Sequence, residues 1–151
     1  MRLFLKGTFS LYAIALVYLF FFLPTRQNVR GSNLVPFHTI RRYKSQYELF
    51  KIHLPTTYGI EAQIYGNILI FIPFGFVLPI LFKRFRNPLF SIGLVLVLSL
   101  MVESVQRVFR IGQFDVDDII LNATGGIIGF VSFIIADWFM WEYKNRNLSL
   151  E

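Results

Sequence analysis

Long runs of apolar residues, separated by short basic clusters, dominate the pattern of this chain. A helix needs about 20 apolar residues to cross the roughly 30 Å hydrocarbon core of a bilayer. Four stretches reach that length, and together they predict an all-α membrane protein built as a four-transmembrane-helix bundle. The four stretches are residues 3–23, 62–82, 88–109 and 119–141.

Features at the ends and in the middle of these stretches refine the prediction. The first has a basic start like that of a signal peptide, but no small-residue cleavage site follows it, which favours a retained anchor. The second contains Pro73 and Pro79, which should bend it and which a membrane helix tolerates when neighbours satisfy the freed carbonyl groups. The fourth ends near Trp138 and Trp141, which suit an aromatic belt at the membrane surface.

The long connection between the first two spans, residues 26–61, carries a helical pattern of its own. Its apolar side chains recur every three to four positions, with basic residues on the other faces. This spacing predicts a short amphipathic helix lying in the headgroup plane. A solvated loop with scattered aromatic residues is the alternative. The apolar positions are Ile40, Tyr43, Tyr47 and Phe50.

Composition supports a membrane protein with a single domain. Of 151 residues, 55% are hydrophobic and 16% charged, with a mean hydropathy of +0.56, whereas about a quarter of a soluble domain is charged. We expect one domain over residues 1–145 and a polar tail over residues 146–151, of which 150–151 have the character of a cloning remnant. The chain has no cysteine, which excludes disulfides and thiol catalysis.

The net charge of +6 raises the question of nucleic-acid binding. The cations, however, sit in clusters that flank the apolar runs, where membrane proteins contact lipid headgroups. We therefore expect membrane lipids as partners and no nucleic acid. His38 and His53 lack metal-ligand spacing, so neither a metal nor any other cofactor is expected.

Polar residues of the spans concentrate on one membrane face. With four crossings, spans 1 and 3 end on the face where spans 2 and 4 begin. Charged groups in a bilayer are costly and usually mark function, so a polar pocket just below this surface is predicted. Its candidate ligand-binding residues are Asn33, Arg41, Arg42, Asn67, Glu103, Gln106, Arg110, Asp117, Asp118 and Asn122.

Helical geometry places several of these residues together. Glu103, Gln106 and Arg110 follow one helical stripe at i, i+3 and i+7, with Glu103 about 10 Å below Arg110. Three aspartates, Asp115, Asp117 and Asp118, lie at the entrance to the fourth span, where a helix N-terminus favours anions. One structural alternative is that Glu103 only pairs with Arg107 or Arg110 and caps the turn between the third and fourth spans. Another is that Asp117 or Asp118 is only an N-cap.

Two glycines of the fourth span, Gly125 and Gly129, form a small-xxx-small face that allows close helix approach. This face fits packing inside a monomer or, as the alternative, a homodimer.

An ordered set of motifs over about residues 30–130 resembles the VanZ-like family. The turn between Arg110 and Asp117 departs from the longer polar loop of some members. The matching motifs are Asn33-Leu-Val-Pro-Phe37, Gly66-Asn-Ile-Leu-Ile-Phe-Ile-Pro-Phe-Gly75, Glu103-x-x-Gln106, Arg110, Phe114-Asp-Val-Asp-Asp-Ile-Ile-Leu-Asn122 and Gly125-Gly126.

This resemblance implies a bacterial cytoplasmic membrane protein with an envelope role. The family's namesake is associated with low-level resistance to teicoplanin, a lipoglycopeptide that binds cell-wall precursors outside the cell. The resemblance supplies no agreed reaction.

The first functional hypothesis is a protein that binds an envelope lipid, a lipid-linked cell-wall precursor or the lipoglycopeptide, and so modulates antibiotic access. Arg41, Arg42 and Arg110 would meet phosphate or carboxylate, for which a planar guanidinium group is well suited. The amides would hydrogen-bond a sugar or peptide.

The second hypothesis is an intramembrane enzyme acting on a lipid-linked precursor, with Glu103 or Asp117 as acid–base group. No nucleophile or metal set accompanies these acids, which favours binding over catalysis. A proton-coupled transporter would need polar groups through the midplane, and the inner halves of the later spans offer none except Asp137 near the opposite exit.

The number of basic residues is nearly equal on the two membrane faces, so the predicted orientation depends on which loops carry them. Seven lie on the side of the termini and eight on the other, but the five-residue turn 83–87 alone holds three. Charges in short loops dominate orientation. We therefore predict cytoplasmic termini and a pocket that opens outward.

Overall fold

The computed structural model describes residues 2–22, 32–50 and 55–148, most of which are helical. The α-helices of this part of the chain are α1 (Arg2–Phe21), α2 (His38–Phe50), α3 (Pro55–Leu81), α4 (Pro88–Phe109) and α5 (Val116–Leu148).

Two short elements connect the helices. A 3₁₀ turn at Lys83–Arg86 joins α3 to α4. The strands β1 (Ser32–Asn33) and β2 (Phe114–Asp115) pair in parallel, with Ser32 opposite Phe114.

Four of the helices, α1, α3, α4 and α5, are long and apolar enough to cross a membrane. They form the predicted four-transmembrane-helix bundle. Because the number of spans is even, the start of α1 and the end of α5 lie on the same side. The remaining helix, α2, is the predicted amphipathic helix between the first two spans. On it Ile40 and Tyr43 are half-buried, whereas Arg41 and Arg42 are exposed.

Two helices extend beyond their predicted limits, because hydropathy marks only the apolar part of a helix. α3 begins at Pro55 rather than at residue 62, and a proline is well tolerated in the first turn of a helix. α5 continues to Leu148, past the predicted start of the tail at residue 146. Its polar end carries an i,i+4 ion pair between Glu142 and Arg146 at 3.3 Å.

Glycines bring α3 and α5 into backbone contact. A Cβ atom added at Gly129 would overlap the carbonyl oxygen of Ile72, and one added at Gly125 would overlap that of Ile68. Only a hydrogen in place of a side chain allows this approach. The predicted small-residue face is therefore occupied within the monomer.

The two ends of the bundle are held differently. At the end opposite the α4–α5 turn, Arg86 forms an ion pair with Asp137 at 3.5 Å and lies 5.5 Å from the ring centre of Phe133. The α3–α4 turn is thereby attached to α5. The other end is held by buried polar groups, which form the candidate site.

Candidate functional site

The pairing of β1 with β2 brings the segment before α2 to the α4–α5 turn. Asn33 lies opposite Asp115, and its side-chain nitrogen donates a 2.8 Å hydrogen bond to Asp115 Oδ1. The remaining oxygen of Asn33 accepts from the backbone nitrogen of Val35 at 3.2 Å. Asn33 is therefore a structural link across 82 positions of the sequence.

Asp115 is the residue that caps α5. Its Oδ1 accepts a 2.9 Å hydrogen bond from the backbone nitrogen of Asp117, the i to i+2 bond of an N-cap. Its Oδ2 accepts from the Thr39 hydroxyl at 3.3 Å. The structural alternative that made Asp117 or Asp118 the N-cap of this helix is wrong, since both lie inside its first turn.

Asp117 caps a different helix, α2. Its Oδ1 accepts from the backbone nitrogen of Phe37, and its Oδ2 accepts from that of Thr39 at 2.6 Å. The first N–H groups of a helix lack partners within the helix and carry a partial positive charge. The buried Asp117 carboxylate accepts hydrogen bonds from these N–H groups, and its negative charge is favourable beside their partial positive charge. It thereby fixes the start of α2.

Glu103 connects α4 to the same cluster. Its Oε2 accepts a 2.9 Å hydrogen bond from the backbone nitrogen of Asp115. Glu103, Asp115 and Asp117 are 1%, 7% and 1% exposed, respectively. We call these three residues the carboxylate clasp, because their hydrogen bonds join α2, α4 and α5.

Asp118 adds α3 to this end of the bundle. Its Oδ1 accepts from Asn67 Nδ2 at 2.5 Å and from Gln63 Nε2 at 2.8 Å. Gln63 was not among the predicted site residues. The sequence did contain a signal for it: Gln63 precedes Asn67 by four residues, and residues i and i+4 of a helix share one face.

The other two predicted amides donate to partners inside the protein. Gln106 Nε2 donates to the Phe20 carbonyl at the end of α1, and Asn122 Nδ2 donates to the Ser99 hydroxyl, both at 2.8 Å. The carbonyl oxygens of both amides are buried without a hydrogen-bond partner in the described part of the chain. Both oxygens could therefore accept a further hydrogen bond.

Arg110 departs from the predicted stripe. α4 ends at Phe109, and Arg110 adopts the left-handed conformation with φ 58°, its N–H bonded back to the carbonyl groups of Gln106 and Arg107. This turn breaks the helical periodicity, so Arg110 is exposed although Glu103 and Gln106 are buried. Among the described residues, no carboxylate lies within ion-pair distance of Arg107 or Arg110, so the alternative in which Glu103 only pairs with one of these arginines is wrong.

The structure thus separates the predicted site residues into an interior and a surface. Arg41, Arg42 and Arg110 are exposed at this end of the bundle. An open cavity among the interior residues stays a prediction. The buried members of the set are Asn33, Asn67, Glu103, Gln106, Asp117, Asp118 and Asn122.

Fold and site together define a four-span membrane protein with a cluster of buried carboxylates inside one end of the bundle and three exposed arginines at the same end. The family model of VanZ/LLP1 matches residues 9–137, which include the whole carboxylate clasp. Protein VanZ of Enterococcus faecium is 31% identical over 147 residues, covering 92% of this chain and 79% of the relative. No solved structure matches the chain. The chain belongs to the VanZ/LLP1 family, as its motifs predicted, and is a bacterial membrane protein.

Proposed function

We propose that this envelope protein binds an amphiphilic envelope molecule at the membrane face of the carboxylate clasp and so modulates teicoplanin access. Candidate ligands are an envelope lipid, a lipid-linked cell-wall precursor and the lipoglycopeptide itself. Membership of the family supports a resistance-type role. The observation that carries the proposal is the charge separation at this end, where buried carboxylates hold the backbone and Arg41, Arg42 and Arg110 remain exposed.

Binding fits this geometry better than catalysis by Glu103 or Asp117. A general base must reach the proton that it removes from the substrate. Both oxygens of Asp117 already accept backbone N–H groups, and Glu103 accepts from Asp115. Each of the two acids is 1% exposed. These contacts favour a structural role for the acids and leave recognition to the arginines.

Combined replacement of Arg41, Arg42 and Arg110 by glutamine should remove teicoplanin protection. Hydrogen bonds to charged groups contribute about 1.5–3 kcal/mol each, so the loss of even one lowers affinity about tenfold or more. The measurement is the minimal inhibitory concentration of teicoplanin for a susceptible bacterium producing each variant, together with mass-spectrometric identification of lipid that co-purifies with the protein.

The control removes equal charge from the opposite membrane face by replacing Lys6, Lys83 and Lys144 with glutamine. Each of these flanks keeps another cation, so the orientation signal persists. This control should protect as the unmodified protein does. Equal protection by both triple variants, at matched amounts in the membrane, would overturn the proposal.

Access to an extracellular drug requires that the clasp face outward, with both termini in the cytoplasm. The chain lacks cysteine, so single cysteines report their own position. A cysteine at Ser45 of α2 should react with a membrane-impermeant thiol reagent on intact cells, whereas one at Ser149 should react only after lysis. The reverse pattern would place the site in the cytoplasm and rule out direct capture of the antibiotic.

A further inference from the structure

Phe37, at the start of α2, has an unusual backbone for its residue type. Its φ of 62° lies in the left-handed region, which glycine enters freely and bulky side chains enter only under strain. Residues held in such conformations tend to cluster at functional sites, because the surrounding structure must stabilise them. The position of the ring therefore requires an explanation.

The contacts that hold Phe37 are made by its backbone. Its N–H donates to Asp117, and its carbonyl accepts from the Arg41 N–H at 2.9 Å. A glycine could make both hydrogen bonds without strain. The ring itself is 47% exposed, so nearly half of its surface is open to a ligand. These backbone hydrogen bonds do not explain why a phenylalanine stands at this position.

The surface around this ring is both apolar and basic. Leu34 and Val35, in the same segment, are 66% and 55% exposed. Arg41 is a close neighbour of Phe37, because its backbone N–H donates the 2.9 Å hydrogen bond to the Phe37 carbonyl. Arg41 and Arg42 are exposed, and no described carboxylate lies within ion-pair distance of either. We call these five residues the aromatic–basic tip.

We propose that the aromatic–basic tip binds a phosphate-bearing lipid, with Arg41 and Arg42 on the phosphate and Phe37, Leu34 and Val35 against the adjoining hydrocarbon. The inference rests on the proposed function and names its ligand class. Guanidinium groups form strong charge-assisted hydrogen bonds with phosphate. The N-terminus of α2 is not the anion site, because the Asp117 carboxylate already occupies it. The apolar part of the tip selects an amphiphile over a free anion.

The test uses the full chain in dodecyl maltoside micelles, which contain no phosphate, titrated with dihexanoyl phosphatidic acid and, separately, with inorganic phosphate. We expect saturable binding of the phosphatidic acid, measured by native mass spectrometry, and at least tenfold weaker binding of inorganic phosphate. Replacing both Arg41 and Arg42 with glutamine should lower phosphatidic acid affinity at least tenfold. Equal affinity for the lipid and the free anion would overturn the inference.

Phe37→Gly separates ligand binding from folding. Glycine favours the left-handed backbone, so the thermal stability of the variant should equal or exceed that of the unmodified protein. Its phosphatidic acid affinity should nevertheless fall at least fivefold. The matched control is Phe139→Ala, which removes another exposed ring, on α5, and should bind as the unmodified protein does. Unchanged affinity of Phe37→Gly would overturn the inference.

The teicoplanin survival assay keeps this inference distinct from the proposed function. Phe37→Gly is measured both in the teicoplanin survival assay and in the phosphatidic acid titration. Only the titration decides whether the aromatic–basic tip recognises phosphate-bearing lipid. If the arginine variants lose protection while their phosphatidic acid affinity is unchanged, the lipid class is wrong and the proposed function still stands. If protection is unchanged in every variant that loses lipid binding, the proposed function fails and the lipid site remains.

Discussion

A Gly129→Ala variant should lose most of its folded bundle. The added methyl group would overlap the carbonyl oxygen of Ile72, which belongs to the backbone of α3 and cannot rotate away. Even in cores where side chains can adjust, overpacking costs about 1–3 kcal/mol, and here the two helices must separate. We expect a marked fall in the temperature at which the purified protein in detergent loses its monodisperse peak on size-exclusion chromatography.

Gly66→Ala and Gly93→Ala are the matched controls for this prediction. Both glycines lie within helices, and an added Cβ atom at either would meet no atom within 4 Å apart from its chain neighbours and the nearby backbone of its own helix. Alanine is favoured over glycine in a helix by about 0.5–1 kcal/mol, so these variants should be as stable as the unmodified protein or slightly more so. A Gly129→Ala variant that behaved like them would show that α3 and α5 do not meet along this face.

The sequence predicted the limits of a helix correctly where the helix ends at the same residue as its apolar segment. α4 was predicted with its observed limits, because Asn87 caps it, with a side-chain oxygen accepting from the Leu89 nitrogen, and Arg110 ends it with a left-handed turn. α3 and α5 run beyond their apolar segments into polar sequence. Hydropathy carries no signal there, since a helix that leaves the bilayer can continue in water.

The sequence predicted where in the bundle the polar residues lie, but it did not predict which hydrogen bonds they make. The cost of burying Glu103 and Asn67 in a membrane protein indicated that they face the bundle interior, and both are buried. Their partners depend on a two-residue strand pair that joins distant segments of the chain. So short a pairing has no periodicity, and nothing in the sequence indicated that Asp117 would cap α2.

Removing the Asp117 cap should strongly destabilise the start of α2. An asparagine cannot replace the Asp117 carboxylate, because its side chain has one acceptor oxygen and one NH₂ donor. In an Asp117→Asn variant the donor would face the N–H of either Phe37 or Thr39, both of which now bond to the carboxylate. A hydrogen bond to a charged group contributes about 1.5–3 kcal/mol, so we expect a local loss of about 2 kcal/mol.

Hydrogen exchange measures this loss where it occurs. Local opening that becomes easier by about 2 kcal/mol speeds amide exchange about 30-fold, and peptides covering residues 34–45 should show it by mass spectrometry. The control is Asp137→Asn at the opposite end, whose ion pair with Arg86 is partly exposed and is worth about 0–1 kcal/mol. That variant should leave exchange in the same peptides unchanged.

A double variant tests whether Asp117 acts through the strained backbone of Phe37. Phe37→Gly removes the need for a hydrogen bond to hold the left-handed conformation, so adding it to Asp117→Asn should restore part of the lost protection at residues 38–40. The two substitutions would then be coupled rather than additive, as expected for residues in direct contact. Strictly additive effects would mean that Asp117 stabilises α2 through Thr39 alone, and that the conformation of Phe37 is held by other contacts.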